Sequence, residues 1–270
     1  IVVGVRNEYT KKILENLFSL ISDKIEWMSV ESAEMTKHAI NAFLATSVTF
    51  ANEIASICEM CGADAKEVER GLKTEKRIGP NAYLSPGGPF SGGTLARDID
   101  FLDKAAQEQS LTVPLIVSVR DSNNEHKKWV RRKLLEKFET LKTLSVAIWG
   151  LTYKPKTSTL RRSLAVELCD WLICEGADVR VYDPVVKKLP SRWNDQVVSF
   201  DNALEALENT KVLVIGTDWS EFRGTAKQLL KVVDNDYLVI DANGFLKNVI
   251  FSQGINYIAV GFPQLKRVND

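Results

Sequence analysis

The sequence predicts an α/β protein: a β-α-β unit, a helical middle segment, and a C-terminal Rossmann-like, doubly wound parallel sheet. Three observations predict this class. Residues 32–61 carry apolar side chains at helical spacing and contain no Pro or Gly. From residue 145 onward, short apolar runs alternate with helical patterns, which is the order that builds a parallel sheet. Residues 1–30 have the pattern of a strand, a helix and a second strand.

The front segment begins inside an apolar run. Ile1–Val5 is predicted as a buried strand, Glu8–Ile21 as an amphipathic helix and Ile25–Val30 as another strand. Because the first residue is Ile1 rather than Met, we expect a cut or processed chain. Residues 1–30 are interpreted as the remnant of a preceding domain.

The middle segment, residues 31–140, is predicted to be helical and to begin with one long helix over Ser32–Cys61. Such a helix is roughly 45 Å long, which is longer than one small domain can cover. Its length therefore predicts a subunit or domain interface. Asp64 is a suitable N-cap for the next helix, and Pro114 suits a first helical turn. The other predicted elements are helices over Asp64–Leu72, Leu95–Gln109 and Val113–Glu139, a loop over Gly79–Gly93, and a solvated helix face over Asn123–Lys128.

The C-terminal segment, residues 143–265, is predicted as the Rossmann-like unit. Ligands of such sheets bind at the carboxyl ends of the strands. The predicted strands are Ser145–Gly150, Asp178–Pro184, Lys211–Gly216 and Tyr237–Asp241, and the predicted helices are Ser163–Glu175, Ala203–Leu207 and Ala226–Val232.

Composition excludes several partner classes. The chain has 270 residues, 45% of them hydrophobic, with 35 basic and 35 acidic side chains. A formal net charge of zero gives no general attraction for nucleic acid or a membrane surface. No apolar run approaches the roughly 20 residues of a membrane span. We therefore expect a cytoplasmic protein with neither partner.

The four cysteines do not predict a metal site. Cys58 and Cys61 have the spacing of half a zinc site or of a redox pair, but a zinc site needs a second pair or nearby histidines. The chain has only two histidines. Because Cys58 and Cys61 continue an apolar helical pattern, as Cys169 and Cys174 do, we interpret all four as buried helix cysteines and predict no metal.

No G-x-G-x-x-G motif follows any strand, so the close approach of backbone to a pyrophosphate is not encoded. The strand at Ile148 leads instead into Gly150-Leu151-Thr152-Tyr153-Lys154-Pro155. Tyr153 is a candidate for packing on a flat ring, while Lys154 and Arg161 are candidates for contacting oxyanions. A loop of solvated basic residues is the alternative, and these residues alone leave both interpretations open.

Several stretches carry a resemblance to a known family. They include Ser-Ala-Glu-Met-Thr-Lys-His-Ala-Ile-Asn at 32–41, Phe-Ala-Asn-Glu-Ile at 50–54 and Arg-Ile-Gly-Pro at 77–80. Further stretches are Gly-Leu-Thr-Tyr-Lys-Pro-Lys-Thr at 150–157 with Arg161 and Ser163, Tyr-Asp-Pro at 182–184, and Thr-Asp-Trp-Ser-Glu-Phe at 217–222. In this order and spacing, over nearly the whole chain, they resemble the UDP-glucose/GDP-mannose dehydrogenase family.

The resemblance implies a domain order: an N-terminal NAD-binding Rossmann domain, a helical dimerisation domain and a C-terminal nucleotide-sugar-binding domain. Residues 1–30 are then the tail of the first domain, which explains the missing glycine motif. NAD is implied as the cofactor, bound mainly by that missing domain. A homodimer through the helix over residues 32–61 is implied as well.

The family's chemistry is the oxidation of a sugar CH2OH to an aldehyde and then to a carboxylate, with two NAD molecules. By resemblance, Lys37 and Asn41 stabilise the oxyanion, and Asp98 positions or activates the water. The i, i+4 spacing of Lys37 and Asn41 places both donors on one helix face, as one developing alkoxide requires.

The resemblance also assigns binding residues. The substrate-binding candidates are Arg77, Tyr83, Leu84, Phe90, Gly92, Tyr153 and Lys154, and Arg161 is the cofactor-binding candidate.

Thr94 stands where the family has its nucleophilic cysteine. The loop Gly-Pro-Phe-Ser-Gly-Gly-Thr-Leu-Ala-Arg-Asp at 88–98 places that position on Thr94, or on Leu95 if the glycine pairs are superposed. Neither is a thiol, and neither histidine lies in this motif, so covalent catalysis of the second oxidation is expected to be weak. The parent then oxidises alcohol to aldehyde only, completes both steps through a hydrate held by Asp98, or binds nucleotide-sugar without turnover.

Neighbouring departures favour a divergent subgroup over one engineered change. These departures bear on which substrate is bound more than on which fold is adopted. The departing positions are Ser91, Ala96 and Arg97 in the loop, Asn243 where many members have an arginine, and Ser158 and Thr159 where the family has paired acids.

Overall fold

The computed structural model describes residues 1–229, 231–234, 236–250 and 255–263. Its helices, in chain order, are α1 Glu8–Phe18, α2 Val30–Cys61, α3 Ala65–Thr74, α4 Thr94–Glu108, α5 Pro114–His126, α6 Trp129–Lys137, α7 Leu164–Cys174, α8 Glu221–Leu229 and α9 Lys247–Ile250. Its strands are β1 Val2–Gly4, β2 Glu26–Met28, β3 Ser145–Trp149, β4 Asp178–Tyr182, β5 Val197–Ser199, β6 Val212–Ile215, β7 Leu238–Ile240 and β8 Asn256–Ile258. Short 3₁₀ turns lie at Ser191–Trp193 and Glu205–Leu207.

These elements form two compact units. The first contains residues 1–46 and 94–120, and the second contains residues 47–93 and the described residues from 121 onward. In the first unit, β1 and β2 pair in parallel, with Val3 opposite Trp27. Helix α1 connects them, which confirms the predicted β-α-β order, but Ile1 and Val2 are exposed, so the first strand is not buried as predicted.

Helix α2 confirms the long-helix prediction and begins two residues earlier than expected. It ends at Gly62, whose φ of 78° is the left-handed conformation common just after a helix. The N–H of Ala63 bonds back to the carbonyl of Cys58 at 3.0 Å. Asp64 caps α3 as predicted, because its side chain accepts a bond from the Lys66 N–H at 2.7 Å.

The second unit contains a six-stranded, all-parallel sheet in the order β5-β4-β3-β6-β7-β8. Both faces are buried, since neighbouring residues along β3 belong to opposite cores: Ile148 lies in one and Trp149 in the other. Helix α7 contributes Leu172 to the first core, and α8 contributes Phe222 to the second. Coverage of both faces confirms the predicted doubly wound sheet.

Four further predictions about the elements were wrong. Residues Val113–Glu139 do not form one helix, because the helical conformation is interrupted at residues 127–128, between α5 and α6. The Asn123–Lys128 run is not uniformly solvated, because two of its side chains are buried. Cys61 and Cys174 are exposed rather than buried. The helix predicted over Ala226–Val232 is α8, which begins earlier and ends at Leu229.

Strands β5 and β8 and helix α9 were not predicted. The predicted end of the C-terminal segment at residue 265 lies outside the described residues. Within the described part of the chain, no helix is long and apolar enough to cross a membrane.

Two glycines lie where the neighbouring strands β3 and β6 end, at the switch point of the sheet. Gly150 follows β3 with φ of 88°, and a Cβ there would lie 2.6 Å from Thr217 Cβ. Gly216 follows β6 against the Gly150 carbonyl and Ala165. Because neither glycine has a Cβ, the segments that follow β3 and β6 can pack this closely.

We expect Gly216→Ala to lower the free energy of unfolding by about 3 kcal/mol, because the new methyl group overpacks the sheet edge. Its Cβ would lie 2.7 Å from Ala165 Cβ and still closer to the Gly150 carbonyl. Gly224→Ala is the control: this glycine lies in α8 with open space around it, so the change should add up to roughly 1 kcal/mol. Urea denaturation of both variants checks this; equal stabilities would contradict it.

Candidate active site

Three of the predicted catalytic side chains converge within the first unit. Helix α2 presents Lys37 and Asn41 one turn apart, and α4 presents Asp98. The Lys37 Nζ lies 3.1 Å from Asp98 Oδ2, and the Asn41 Nδ2 donates to the same oxygen. The predicted shared face of α2 is therefore real, and the carboxylate lies against it.

Asp98 is held as a buried anion, with 1% of its surface exposed. Burial acts to raise the pKa of Asp98, but hydrogen bonds from Asn41 and Lys37 outweigh it and hold that pKa below its usual range. Lys37 keeps 57% of its side chain exposed. Since an ammonium and an amide each have more than one N–H, both groups can still donate to a ligand oxygen.

His38 is a residue of this cluster that the sequence reasoning missed. Its Nδ1 lies 3.5 Å from Asp98 Oδ1, and its ring stacks on Phe101 with 4.2 Å between centroids. Arg97 Nε lies 3.5 Å from the same carboxylate oxygen. The available signal was the i, i+3 spacing of His38 and Asn41, which places the two side chains near one another on a helix.

Thr94 is the first residue of α4 and is exposed. Asp98 follows it by four positions, one helical turn further along. The chain's cysteines are at positions 58, 61, 169 and 174, so the first unit contains none. Within the described ranges, no cluster of three or more His, Cys, Asp or Glu side chains could hold a metal ion.

In the second unit, the loop that precedes Thr94 in sequence is held by side chains from three elements. Asn52 of α2 accepts from the Gly87 N–H at 3.0 Å. Asn123 of α5 both accepts from the Phe90 N–H and donates to the Phe90 carbonyl, each at 2.9 Å. This double contact explains why Asn123 is buried and not solvated as predicted.

Two further side chains complete the set. His126 Nε2 lies 2.8 Å from the Gly87 carbonyl. Burial lowers the pKa of His126, so the ring is neutral and Nε2 donates. Asn243, after β7, accepts from the Gly88 N–H at 2.8 Å. A Cβ on Gly87 would lie 2.8 Å from the Asn243 side-chain oxygen, so the glycine and the asparagine fit one another.

Asn243 also donates to Asp218 Oδ2 at 2.9 Å. Burial is the main reason that the pKa of Asp218 is raised to about 6, and the negative charge of the nearby Asp241 is the second. Asp241, 1% exposed, accepts from Tyr257 at 2.6 Å and from the Leu246 N–H at 2.7 Å; burial raises its pKa as well. Two acids thus lie together where the family resemblance predicts an arginine.

Asp218→Asn is expected to stabilise the fold at neutral pH. The pKa of Asp218 is about 6 in the folded protein, against an ordinary 3.8. Because the carboxyl must ionise in a buried place, the wild-type fold becomes less stable as pH rises from about 4 through about 6. At roughly 1.4 kcal/mol per unit, the gain from the amide is about 3 kcal/mol at pH 7.5 and shrinks below about 1 kcal/mol at pH 4.

Urea denaturation at both pH values measures this gain. Asp195→Asn is the control, because Asp195 is exposed and its replacement should change neither value. A gain that is the same at pH 4 and pH 7.5 would show that ionisation of Asp218 is not its cause.

The predicted binding residues all belong to the second unit. Arg77 is exposed and pairs with Glu75 at 2.9 Å, while Tyr83 is exposed and Leu84 is buried. Lys154 Nζ lies over the Tyr153 ring, 5.4 Å from its centroid, so one face of that ring is covered by its neighbour.

The predicted cofactor contact, Arg161, is exposed. The next residue, Arg162, lies against Gly92: a Cβ on this glycine would be 2.9 Å from Arg162 Cδ. Sequence reasoning did not single out Arg162; its φ of 63° is a feature that only the structure reveals.

Two family models match the chain. Residues 31–125 match the central domain of the UDP-glucose/GDP-mannose dehydrogenase family, and residues 147–248 match its UDP binding domain. The chain is 31% identical to a UDP-glucose 6-dehydrogenase of Rickettsia bellii, covering 97% of this chain and 62% of the relative. It is 32% identical to a putative UDP-glucose 6-dehydrogenase of Bacillus subtilis, covering 97% of this chain and 61% of the relative.

Solved structures agree. A UDP-glucose dehydrogenase from Pyrobaculum islandicum superposes with a TM-score of 0.83 at 25% identity, over 97% of this chain and 58% of that one. An NDP-N-acetyl-D-galactosaminuronic acid dehydrogenase from Methanosarcina mazei shares the fold, with a TM-score of 0.80 at 23% identity, over 97% of this chain and 58% of that one. The chain spans about three-fifths of the length of these relatives. With both family models matched in order, the chain belongs to the UDP-glucose/GDP-mannose dehydrogenase family.

Proposed function

We propose that the complete protein oxidises the CH2OH group of a nucleotide-sugar, with NAD as the hydride acceptor. The observation that carries this proposal is the convergence of Lys37, Asn41 and Asp98. Relatives named UDP-glucose 6-dehydrogenase support a UDP-sugar as the substrate class. Thr94 favours a reaction that ends at the aldehyde, because a hydroxyl is a far weaker nucleophile than a thiolate.

The chain's own residues contribute charge stabilisation. As the sugar hydroxyl loses its proton, the ammonium of Lys37 and the amide of Asn41 stabilise the alkoxide oxygen. Asp98 keeps both donors aligned, since both contact its Oδ2. NAD, when bound, supplies the hydride acceptor.

Roles are proposed for the three segments of the chain. Residues 143–265 form the nucleotide-sugar-binding domain, residues 31–140 the dimerisation domain and residues 1–30 the end of an NAD-binding domain. Gly92 and Phe90 belong to the loop that shapes the sugar site. The remaining proposed contacts are Arg77, Tyr83, Leu84, Tyr153 and Lys154 for the substrate and Arg161 for NAD.

A panel of UDP- and GDP-sugars tests the function. The complete protein is incubated with each sugar and NAD, and NADH is followed at 340 nm. We expect steady turnover with at least one UDP-sugar. Silence across the panel, together with tight UDP-sugar binding by calorimetry, would instead identify a non-catalytic binding protein, the second candidate, which the missing thiol motivates.

We also propose that the protein is a homodimer through α2. This helix leaves large apolar side chains exposed, among them Phe43 at 72%. The first unit has an apolar groove of about 630 Å³ beside it, and exposed apolar patches of this kind mark interfaces. Lining residues include Met35, Ala39, Phe43, Leu102, Leu111 and Leu115.

Phe43→Glu is expected to convert the dimer to a monomer at micromolar concentration, because two carboxylates would be buried at the interface. Light scattering measures the mass. Tyr9→Glu is the control, since Tyr9 is 76% exposed but lies on α1. A wild-type monomer, or a Phe43→Glu dimer as stable as wild type, would contradict the proposal.

A further inference from the structure

A second polar contact of Asp98 is unexplained by the oxyanion role. Asp98 Oδ2 takes the bonds from Lys37 and Asn41, but Asp98 Oδ1 has no hydrogen-bond partner, although it is fully buried. His38 Nδ1 is likewise buried and without a hydrogen bond. These two atoms face each other across 3.5 Å.

A proton on His38 Nδ1 would make this pair of atoms a donor and an acceptor. A bare ring nitrogen facing a carboxylate oxygen would place two buried acceptors against each other, whereas an Nδ1–H gives the carboxylate a donor. The Phe101 ring, stacked at an interplanar angle of 23°, keeps the imidazole in this orientation. The neutral ring then has its lone pair on Nε2.

The His38 side chain is partly open to solvent. A quarter of the His38 side chain is accessible, whereas Asp98 is 1% accessible. The charged groups around the pair are Lys37 from α2 and Arg97 from α4. Lys37 favours an ionised Asp98, and the carboxylate of Asp98 lies beside the imidazole.

We propose that His38 is the general base of the reaction, oriented by Asp98. This inference rests on the proposed function. The O–H bond of the sugar CH2OH breaks and its proton goes to His38 Nε2, directly or through one water. The hydride from the same carbon goes to the oxidised nicotinamide cofactor, so the alcohol becomes an aldehyde and loses two electrons. The imidazolium then releases its proton to solvent.

Ring tautomers test the pairing without any turnover. Because the chain has two histidines, nitrogen NMR of histidine-labelled protein resolves both rings, and His38→Asn assigns them. We expect the neutral His38 to carry its proton on Nδ1 in the wild type and to lose that preference in Asp98→Asn. A wild-type ring protonated on Nε2, or a preference unaffected by Asp98→Asn, would overturn the proposal.

Kinetics test the base role in the complete protein. His38→Asn keeps an N–H near the Nδ1 position but has no basic nitrogen, so a merely structural role would survive this change. We expect kcat at neutral pH to fall about 100-fold, with the dissociation constant of the nucleotide-sugar within about twofold. His38→Asn turnover equal to wild type would overturn the base role alone, whereas a wild type silent toward every sugar would remove the proposed function itself.

Discussion

Replacing Lys37 with methionine is expected to lower kcat of the complete protein by 10²- to 10³-fold, a loss of about 3 to 4 kcal/mol in transition-state stabilisation. Methionine keeps the aliphatic stem and removes the ammonium, which lies 3.1 Å from Asp98. The effect is large because the positive charge acts on an oxygen that becomes anionic only during the reaction. Nucleotide-sugar affinity should change by less than about threefold.

Lys73→Met is the matched control. Lys73 also forms an ion pair, with Glu69 at 2.7 Å, but it lies on α3 in the second unit. Its replacement should leave kcat within about twofold of wild type. The account would be contradicted if Lys37→Met retained wild-type kcat, or if both variants lost activity equally.

Thr94→Cys is expected to add the second oxidation. The side chain lies at the first position of α4, where the helix dipole and free N–H groups favour a thiolate. A thiolate can attack the aldehyde and carry it as a thioester after a second hydride transfer. We therefore expect NADH per sugar to rise from one to two, with a covalent adduct of the variant detectable by mass spectrometry.

Two companions make this result specific. Thr94→Ser should still yield one NADH, because it restores no thiol. Leu95→Cys tests the other alignment of the glycine pairs. If Thr94→Cys stays at one NADH and Leu95→Cys yields two, the nucleophile's position is Leu95, and the assignment to Thr94 is wrong.

Much of the fold was predictable because local patterns and burial agree. Helix α2 was predicted from uninterrupted helical spacing. The central strands β3, β6 and β7 were predicted because both of their faces are buried, which produces continuous apolar runs. Strand β5 was missed because it has three residues, two of them exposed. The break between α5 and α6 was missed because no Gly or Pro marks residues 127–128.

The candidate site was predictable only in part. The pairing of Lys37 with Asn41 follows from helix periodicity, but the contact with Asp98 joins residues 57 or more apart in sequence. His38 was set aside because it lies outside the loop motif. Its role depends on which carboxylate oxygen is left without a donor, and this follows from tertiary geometry rather than from spacing.

The number of NADH molecules formed per nucleotide-sugar consumed by the complete wild-type protein distinguishes one oxidation, two oxidations and binding alone. The cluster of Lys37, Asn41 and Asp98, without a thiol at Thr94, predicts one NADH and an aldehyde that hydroxylamine traps. Zero NADH with every sugar that binds would contradict the catalytic assignment. Two NADH with a carboxylate product would contradict the conclusion that the second oxidation needs the missing thiol.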